Sequence, residues 1–277
     1  MKFWKYHGLG NDFIIINNIE CKTPMDGNTA KRMCHRSFGI GGDGVILVER
    51  STQADVKMII YNSDGSRPEM CGNGIRCFAK FVFDEQIVMK SNIAVETDAG
   101  IMNIDIKVDG DKAKAIVVNM GRPEFSADKV PVIVNKPEAI NYEIDIEGYK
   151  FNITSMLMGV PHTVVFVDTL EDEDIKRLGA LIESSKYFPK KTNVNFVKVL
   201  DRESIILRTW ERGAGYTYAC GTGACASVAA GVANNLIEEK VNVALRGGDL
   251  VIHWKHRGDI YMEGPATKVF EGIYANF

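Results

Sequence analysis

The sequence predicts an α/β protein of the mixed α+β kind, built from two similar halves. Two observations carry this. Short β-type runs outnumber helical stretches and do not alternate with them strictly, which argues against a simple doubly wound sheet. And one element occurs twice, half a chain apart: Cys71-Gly72-Asn73-Gly74 and Cys220-Gly221-Thr222-Gly223 each follow strand-like sequence and open a helical stretch.

In chain order, runs rich in Val, Ile and Phe, bounded by Gly, Asn, Asp or Pro, predict strands over residues 13–16, 45–48, 56–61, 101–108 and 113–118. The second half adds 163–167, 195–199, 204–209, 241–245, 250–253 and 260–262. Helical spacing covers 29–37, 74–84, 172–185 and 223–235. The third of these opens on Glu171-Asp172-Glu173-Asp174, read as a solvated acidic first turn favoured by the helix dipole rather than as a metal site. A boundary is expected near the turn at Gly121-Arg122-Pro123. The expected domains are then residues 1–118, carrying Cys71, and 119–264, carrying Cys220, with the tail 265–277 packing back on the first.

Composition narrows the function classes. The 277 residues are 45% hydrophobic and 25% charged, which excludes disordered, collagenous and coiled-coil chains. The net charge of −3 comes without a basic block, so neither a nucleic-acid surface nor an anionic-membrane surface is expected. No run approaches the roughly 18 apolar residues of a membrane span, and the first residues lack an apolar secretion core. A cytoplasmic protein is the expectation. Its six cysteines should then be reduced thiols.

The repeated element carries the chemistry. A helix N-terminus offers unpaired N–H groups and the positive end of the dipole, which favour a thiolate over a thiol and lower the thiol pKa from about 8.5. Glycine after the cysteine leaves those N–H groups open to a carboxylate or phosphate. A lone free cysteine is more often a buried packing residue. Two at the same place in a repeated element favour function. Cys77 and Cys225, inside the helices, read as core, and Cys21 and Cys34 as packing residues. Inverting a carbon stereocentre needs a base on one face and an acid on the other, and a thiolate with a thiol fits that task. Helix N-termini aimed at the neighbouring carboxylate would stabilise the carbanion.

Other signals point elsewhere and fail on context. Gly39-Ile40-Gly41-Gly42-Asp43-Gly44 matches a dinucleotide fingerprint, but a helix precedes it and a strand follows, the reverse of the required order. Gly221-Thr222-Gly223-Ala224-Cys225-Ala226 has the right order but no acidic residue ending a following strand. The cysteine spacings are not those of a zinc knuckle, and the five histidines form no ligand pattern. No motif marks a Schiff-base lysine. No cofactor and no metal are expected.

An ordered set of motifs runs along almost the whole chain, through Lys5-Tyr6-His7-Gly8-Leu9-Gly10-Asn11-Asp12-Phe13, Asn62-Ser63-Asp64-Gly65-Ser66 and Met70-Cys71-Gly72-Asn73-Gly74-Ile75-Arg76-Cys77. It continues with Gly159-Val160-Pro161-His162, Thr192-Asn193-Val194-Asn195-Phe196, Glu211-Arg212-Gly213 and Ala219-Cys220-Gly221-Thr222-Gly223. Taken together, these motifs resemble the diaminopimelate epimerase family. The resemblance implies two pseudo-symmetric domains, each a curled, mostly antiparallel sheet around a central helix, with the active site between them. It implies pyridoxal-independent conversion of LL- to meso-diaminopimelate, in lysine and peptidoglycan precursor biosynthesis. Cys71 and Cys220 would be the acid–base pair, and His162 and Glu211 would tune them. Gly72, Asn73, Gly221 and Thr222 would hold the reacting carboxylate, while Asn11, Asn62, Asn193, Glu211 and Arg212 would bind the rest of the substrate. The partner is a small amino acid, and a homodimer is the expected assembly.

One position departs from the family pattern. Asn usually stands between Gly159 and Pro161 as a ligand for the distal carboxylate, and here the residue is Val160. Losing a hydrogen bond to a charged group costs roughly 1.5–3 kcal/mol. The same chemistry on another amino acid therefore stays open, and the pair of thiols separately leaves open a redox or ligand-binding protein.

Overall fold

The computed structural model describes residues 1–275. The chain divides into two compact units, Met1–Asn119 together with the chain from Glu263 onward, and Met120–Met262.

The first unit opens with a hairpin of β1 (Lys2–Gly8) and β2 (Asn11–Asn17), in which Tyr6 pairs with Phe13. Leu9 and Gly10 make the turn with φ of 58° and 89°; Gly10 adopts that region without strain. Helix α1 (Gly27–Cys34) then crosses over to β3 (Gly44–Glu49), parallel to β2, and β4 (Val56–Asn62) returns antiparallel. Helix α2 (Gly72–Asp84) crosses to β5 (Asn92–Thr97), parallel to β4, followed by antiparallel β6 (Gly100–Asp109) and β7 (Lys112–Asn119).

The second unit repeats the scheme. Antiparallel β8 (Tyr142–Ile146), β9 (Tyr149–Met158) and β10 (Val160–Phe166) come first. Helix α3 (Asp172–Glu183) crosses to β11 (Asn193–Asp201), parallel to β10, and β12 (Ser204–Glu211) returns antiparallel, with the short β13 (Gly215–Tyr216) beside it. Helix α4 (Gly221–Ala233) crosses to β14 (Lys240–Leu245), parallel to β12, and β15 (Gly248–Trp254) and β16 (Ile260–Gly264) follow. Strand β17 (Thr267–Ile273) returns to the first unit, antiparallel to β1. Residues 276 and 277 of the expected tail lie outside the described residues.

In each unit the sheet curls around one helix. Helix α2 packs against β1, β2, β3, β4, β6 and β7, and α4 against β9, β10, β11, β12 and β15. The other helix covers the opposite face. On β3, Val45 and Leu47 join Ala30, Met33 and Cys34 of α1, while Ile46 points the other way, toward Gly74 of α2. A strand buried on both faces reads as a continuous apolar run, which is why 45–48 was legible. Helix α4 is almost wholly buried, which its small residues allow.

The structure corrects several expectations. Both cysteine-bearing helices begin two residues earlier than expected, so the cysteines themselves are the N-caps. Helix α1 spans 27–34 instead of 29–37, because Asp26 caps it from Thr29 N–H at 2.7 Å and the chain turns back at its end, Ile40 and Gly41 donating to the Met33 carbonyl. Strands β1, β5, β8, β9, β13 and β17 had no expected counterpart. Cys21 is exposed at a turn with φ of 52°, so it is not a packing residue, whereas Cys34, Cys77 and Cys225 are buried. Among the described residues no helix is long and apolar enough to cross a membrane.

Candidate active site

In the first unit, Cys71 caps α2 in extended conformation. Its Sγ accepts Gly74 N–H at 3.4 Å and its carbonyl accepts Ile75 N–H at 2.8 Å. The N–H groups of a helix's first turn have no acceptor inside the helix, so those of Gly72 and Asn73 are donors for an outside oxygen. A Cβ at Gly74 would stand 3.2 Å from Ile60 Cδ1 and 3.4 Å from Ile46 Cδ1, so the sheet closes tightly on this turn.

The β1–β2 hairpin brings Asn11 to the same place. Asn11 Oδ1 accepts Asn73 Nδ2 at 3.2 Å and lies 3.9 Å from Cys71 Sγ. Asn11 Nδ2 donates to Asp43 Oδ2 at 2.8 Å, which also takes Asp12 N–H at 3.0 Å. Arg36 Nη2 bridges Asp12 and Asp43 at 2.8 Å each, and Lys5 reaches Asp12 from the buried side. Burial alone would raise the Asp12 carboxyl; hydrogen bonds from Arg36 and Lys5 outweigh it and hold the pKa down to about 2. From below, the fully buried Arg76 donates to the Asn73 side chain at 3.0 Å, to Gly72 O at 3.2 Å and to Pro265 O at 3.3 Å. Cys71, Asn11 and Asn73 are thus tied together. Asn62 is not part of that web: at the end of β4 it bonds Ser66 across its own turn, by backbone at 2.8 Å and by side chain at 2.9 Å.

In the second unit, Cys220 caps α4. Its sulfur lies 3.5 Å from Thr222 Oγ1 and its carbonyl accepts Ala224 N–H at 3.0 Å. Glu211 is the last residue of β12, and its negative charge acts on the thiol. The sequence argument expected the helix terminus to lower this pKa. The structure shows the reverse. Burial, followed by the negative charge of Glu211, pushes the Cys220 thiol well up, and the opposing hydrogen bonds from Thr222 and Gly223 are the smaller effect. Gly223 is required for space: a Cβ there would stand 2.5 Å from Asn195 Oδ1 and 3.2 Å from Cys220 Sγ.

Arg212 N–H donates to Asn193 Oδ1 at 2.7 Å, and Asn193 Nδ2 donates to Pro161 O at 3.1 Å, so one amide joins the end of β12 to the start of β10. The Arg212 guanidinium reaches Lys190 O at 3.1 Å. His162, opposite Asn193 in the β10–β11 register, is fully buried. Burial and then the charge of Arg212 lower its pKa to about 3, so the ring is neutral. Its Nδ1 meets Asn195 Nδ2 at 3.1 Å, and its Nε2 has no partner among the described residues. Val160 starts β10, partly exposed, and presents only methyl groups.

Sequence reasoning missed Asp43, Arg76 and Asn195. The signal for Asn195 was present: Asn193 and Asn195 share one face of a strand whose other face is apolar. Asp43 stands between two glycines directly before β3, which carries no comparable message.

Comparison with known proteins gives one family. The family model described as diaminopimelate epimerase matches residues 3–126 and 154–269. A diaminopimelate epimerase of Desulfitobacterium hafniense is 46% identical over 276 residues, covering 99% of this chain and 98% of the relative. One from Methanococcus maripaludis strain C5 is 45% identical over 273 residues, covering 98% and 99%. Among solved structures, a Bacillus anthracis phenazine biosynthesis protein of the PhzF family matches with a TM-score of 0.69 at 14% identity, over 98% of each chain. A hydroxyproline epimerase from Agrobacterium vitis matches with a TM-score of 0.67 at 14% identity, over 98% of this chain and 91% of the other. At that identity the likeness is one of fold.

Proposed function

The chain belongs to the diaminopimelate epimerase family, a family of isomerases, and on that footing we propose that it converts LL-2,6-diaminopimelate to the meso form by moving a proton at one α-carbon between two cysteine sulfurs. The observation that carries this reading is the matched placement of Cys71 and Cys220, each capping the helix enclosed by the sheet of its own unit.

In the LL-to-meso direction the Cys220 thiolate takes the α-proton and becomes a thiol. The electron pair stays on carbon, delocalised into the carboxylate, until the Cys71 thiol returns a proton to the opposite face. N–H groups of Gly72, Asn73, Gly221 and Thr222 receive the carboxylate as its charge grows. A high thiol pKa makes the conjugate thiolate a strong base, and the negative charge of Glu211 tunes it in that direction. Asn73, bonded to Asn11, lines the reacting end of the substrate, while Asn11, Asn62, Asn193 and Arg212 bind its distal end. His162 tunes the cysteine chemistry. No cofactor takes part.

The mechanism needs reduced sulfurs, which fits a cytoplasmic enzyme of lysine and peptidoglycan precursor biosynthesis. A homodimer is the proposed assembly; Val269, Phe270 and Ile273 leave apolar area exposed on β17 for a second copy.

Val160 favours one second reading, in which the same chemistry acts on an amino acid without a distal carboxylate. Chiral chromatography after incubating reduced protein with LL- or meso-diaminopimelate separates the two. Interconversion toward a common mixture supports the first reading. Turnover of single-carboxylate amino acids, with both diaminopimelate isomers untouched, would replace it with the second.

A further inference from the structure

We infer that Asn195 fixes His162 as the neutral imidazole with its proton on Nε2, so that the ring offers a hydrogen-bond donor and not a base.

The chain of contacts settles which way each group points. Asn195 is fully buried in β11 between Val194 and Phe196, which face the α3 side of the sheet. Its own side chain faces the first turn of α4, where the oxygen abuts Gly223. One terminal atom of the amide lies 3.4 Å from the Thr163 carbonyl oxygen and 3.1 Å from His162 Nδ1. The other lies 3.1 Å from the Thr209 hydroxyl. A carbonyl oxygen only accepts, so the atom facing Thr163 is the amide nitrogen, and the amide oxygen takes the Thr209 proton. The nitrogen that faces Thr163 also faces the ring. Nδ1 is therefore the bare, accepting nitrogen, and the proton sits on Nε2.

The same arrangement opposes charging the ring. An imidazolium carries a proton on both nitrogens, and its Nδ1–H would point at an amide NH2 with no acceptor between them. Turning the amide over to receive that proton would aim its oxygen at the Thr163 carbonyl oxygen. Burial and the Arg212 charge act in the same direction.

Nε2 has no hydrogen-bond partner among the described residues and is shielded from solvent. A buried donor without an acceptor is costly to keep, and such groups recur where an acceptor arrives with the chemistry. The acceptor that matches is an anion, either a cysteine thiolate or a carboxylate oxygen. Toward either, Nε2–H stabilises negative charge without removing a proton. Asn195 is then a positioning residue acting through His162. What the donor serves rests on the proposed epimerase reading; the tautomer rests on hydrogen bonds within one unit.

Nitrogen-15 spectra of the reduced full chain, labelled at histidine, test this directly, with His162 identified by the signals lost in His162→Gln. The expected result is a protonated Nε2 and a bare Nδ1 that do not change from about pH 5 to about pH 8, where an ordinary histidine titrates. A ring protonated at Nδ1, or one that titrates in that range, would overturn the inference, and this measurement needs no variant at position 195. Asn195→Asp offers Nδ1 a carboxylate oxygen instead. The proton should move to Nδ1 and the ring should begin to titrate within the same range. An unchanged spectrum in a folded Asn195→Asp protein would also overturn it. Turnover of diaminopimelate by that variant should fall by about tenfold or more, the effect of losing one donor to an anion. A moved proton with unchanged turnover would uphold the tautomer assignment and remove His162 from the proposed reaction.

Discussion

The Sγ of Cys71 stands 3.4 Å from the backbone nitrogen of Gly74 and takes its N–H, the bond a serine hydroxyl makes at a helix N-cap. The sulfur thus has a structural role separable from any chemical one. Cys71→Ser should keep the cap and leave unfolding stability within about 0.5 kcal/mol, while Cys71→Ala should lose up to about 1 kcal/mol. Both should lose turnover. Denaturant titrations of the two variants, set beside their rates, check this. Equal turnover in Cys71→Ser and wild type would leave Cys71 as a capping residue only.

Cys220 should be a slow nucleophile in the free protein. Burial and then the Glu211 carboxylate raise its pKa, so little thiolate is present near neutral pH. Glu211→Gln removes a negative charge beside the sulfur, which lowers the thiol pKa and speeds alkylation at fixed pH. Iodoacetamide labelling followed by peptide mass analysis, in a Cys21→Ser background to remove the exposed thiol, measures it. Slower labelling in Glu211→Gln would contradict the sign.

Asp12 should set part of the acid limit. Its folded pKa, about 2, lies below the ordinary 3.8, so the stability it contributes is fully present above about pH 4 and is lost as pH falls toward 2. Asp12→Asn removes that contribution, and its stability should fall less steeply than the wild type's between about pH 4 and about pH 2. Urea midpoints across that interval give the two slopes. Parallel slopes would show that the pairs with Lys5 and Arg36 carry no linked proton.

Legibility in the sequence followed burial geometry. Residues 45–48 and 13–16 were readable as strands because both faces are buried and the run is continuously apolar. Strand β9 escaped because its interior holds Thr154 and Ser155, made tolerable by partners distant in sequence: Asn234 at 2.9 Å for the first, Thr163 at 3.0 Å for the second. Strand β17 escaped because it shows little inward apolar pattern; nearly all its residues are exposed. At the candidate site, the helix starts were visible because Cys-Gly-x-Gly is local. The expected lowering of the Cys220 pKa was wrong because desolvation depends on the packed surroundings, which no local motif encodes. Asn11 and Asn193 entered only through family resemblance, since what places them is a hairpin turn and a β-register set by residues far away.

The most direct test of the central claim is proton NMR of reduced protein with LL-diaminopimelate in D₂O, wild type beside Cys71→Ala and Cys220→Ala, with no added cofactor. The account predicts deuterium at the α-position together with meso product in the wild type, and loss of meso product in each variant. Meso product at the wild-type rate in either variant would contradict a two-cysteine reaction.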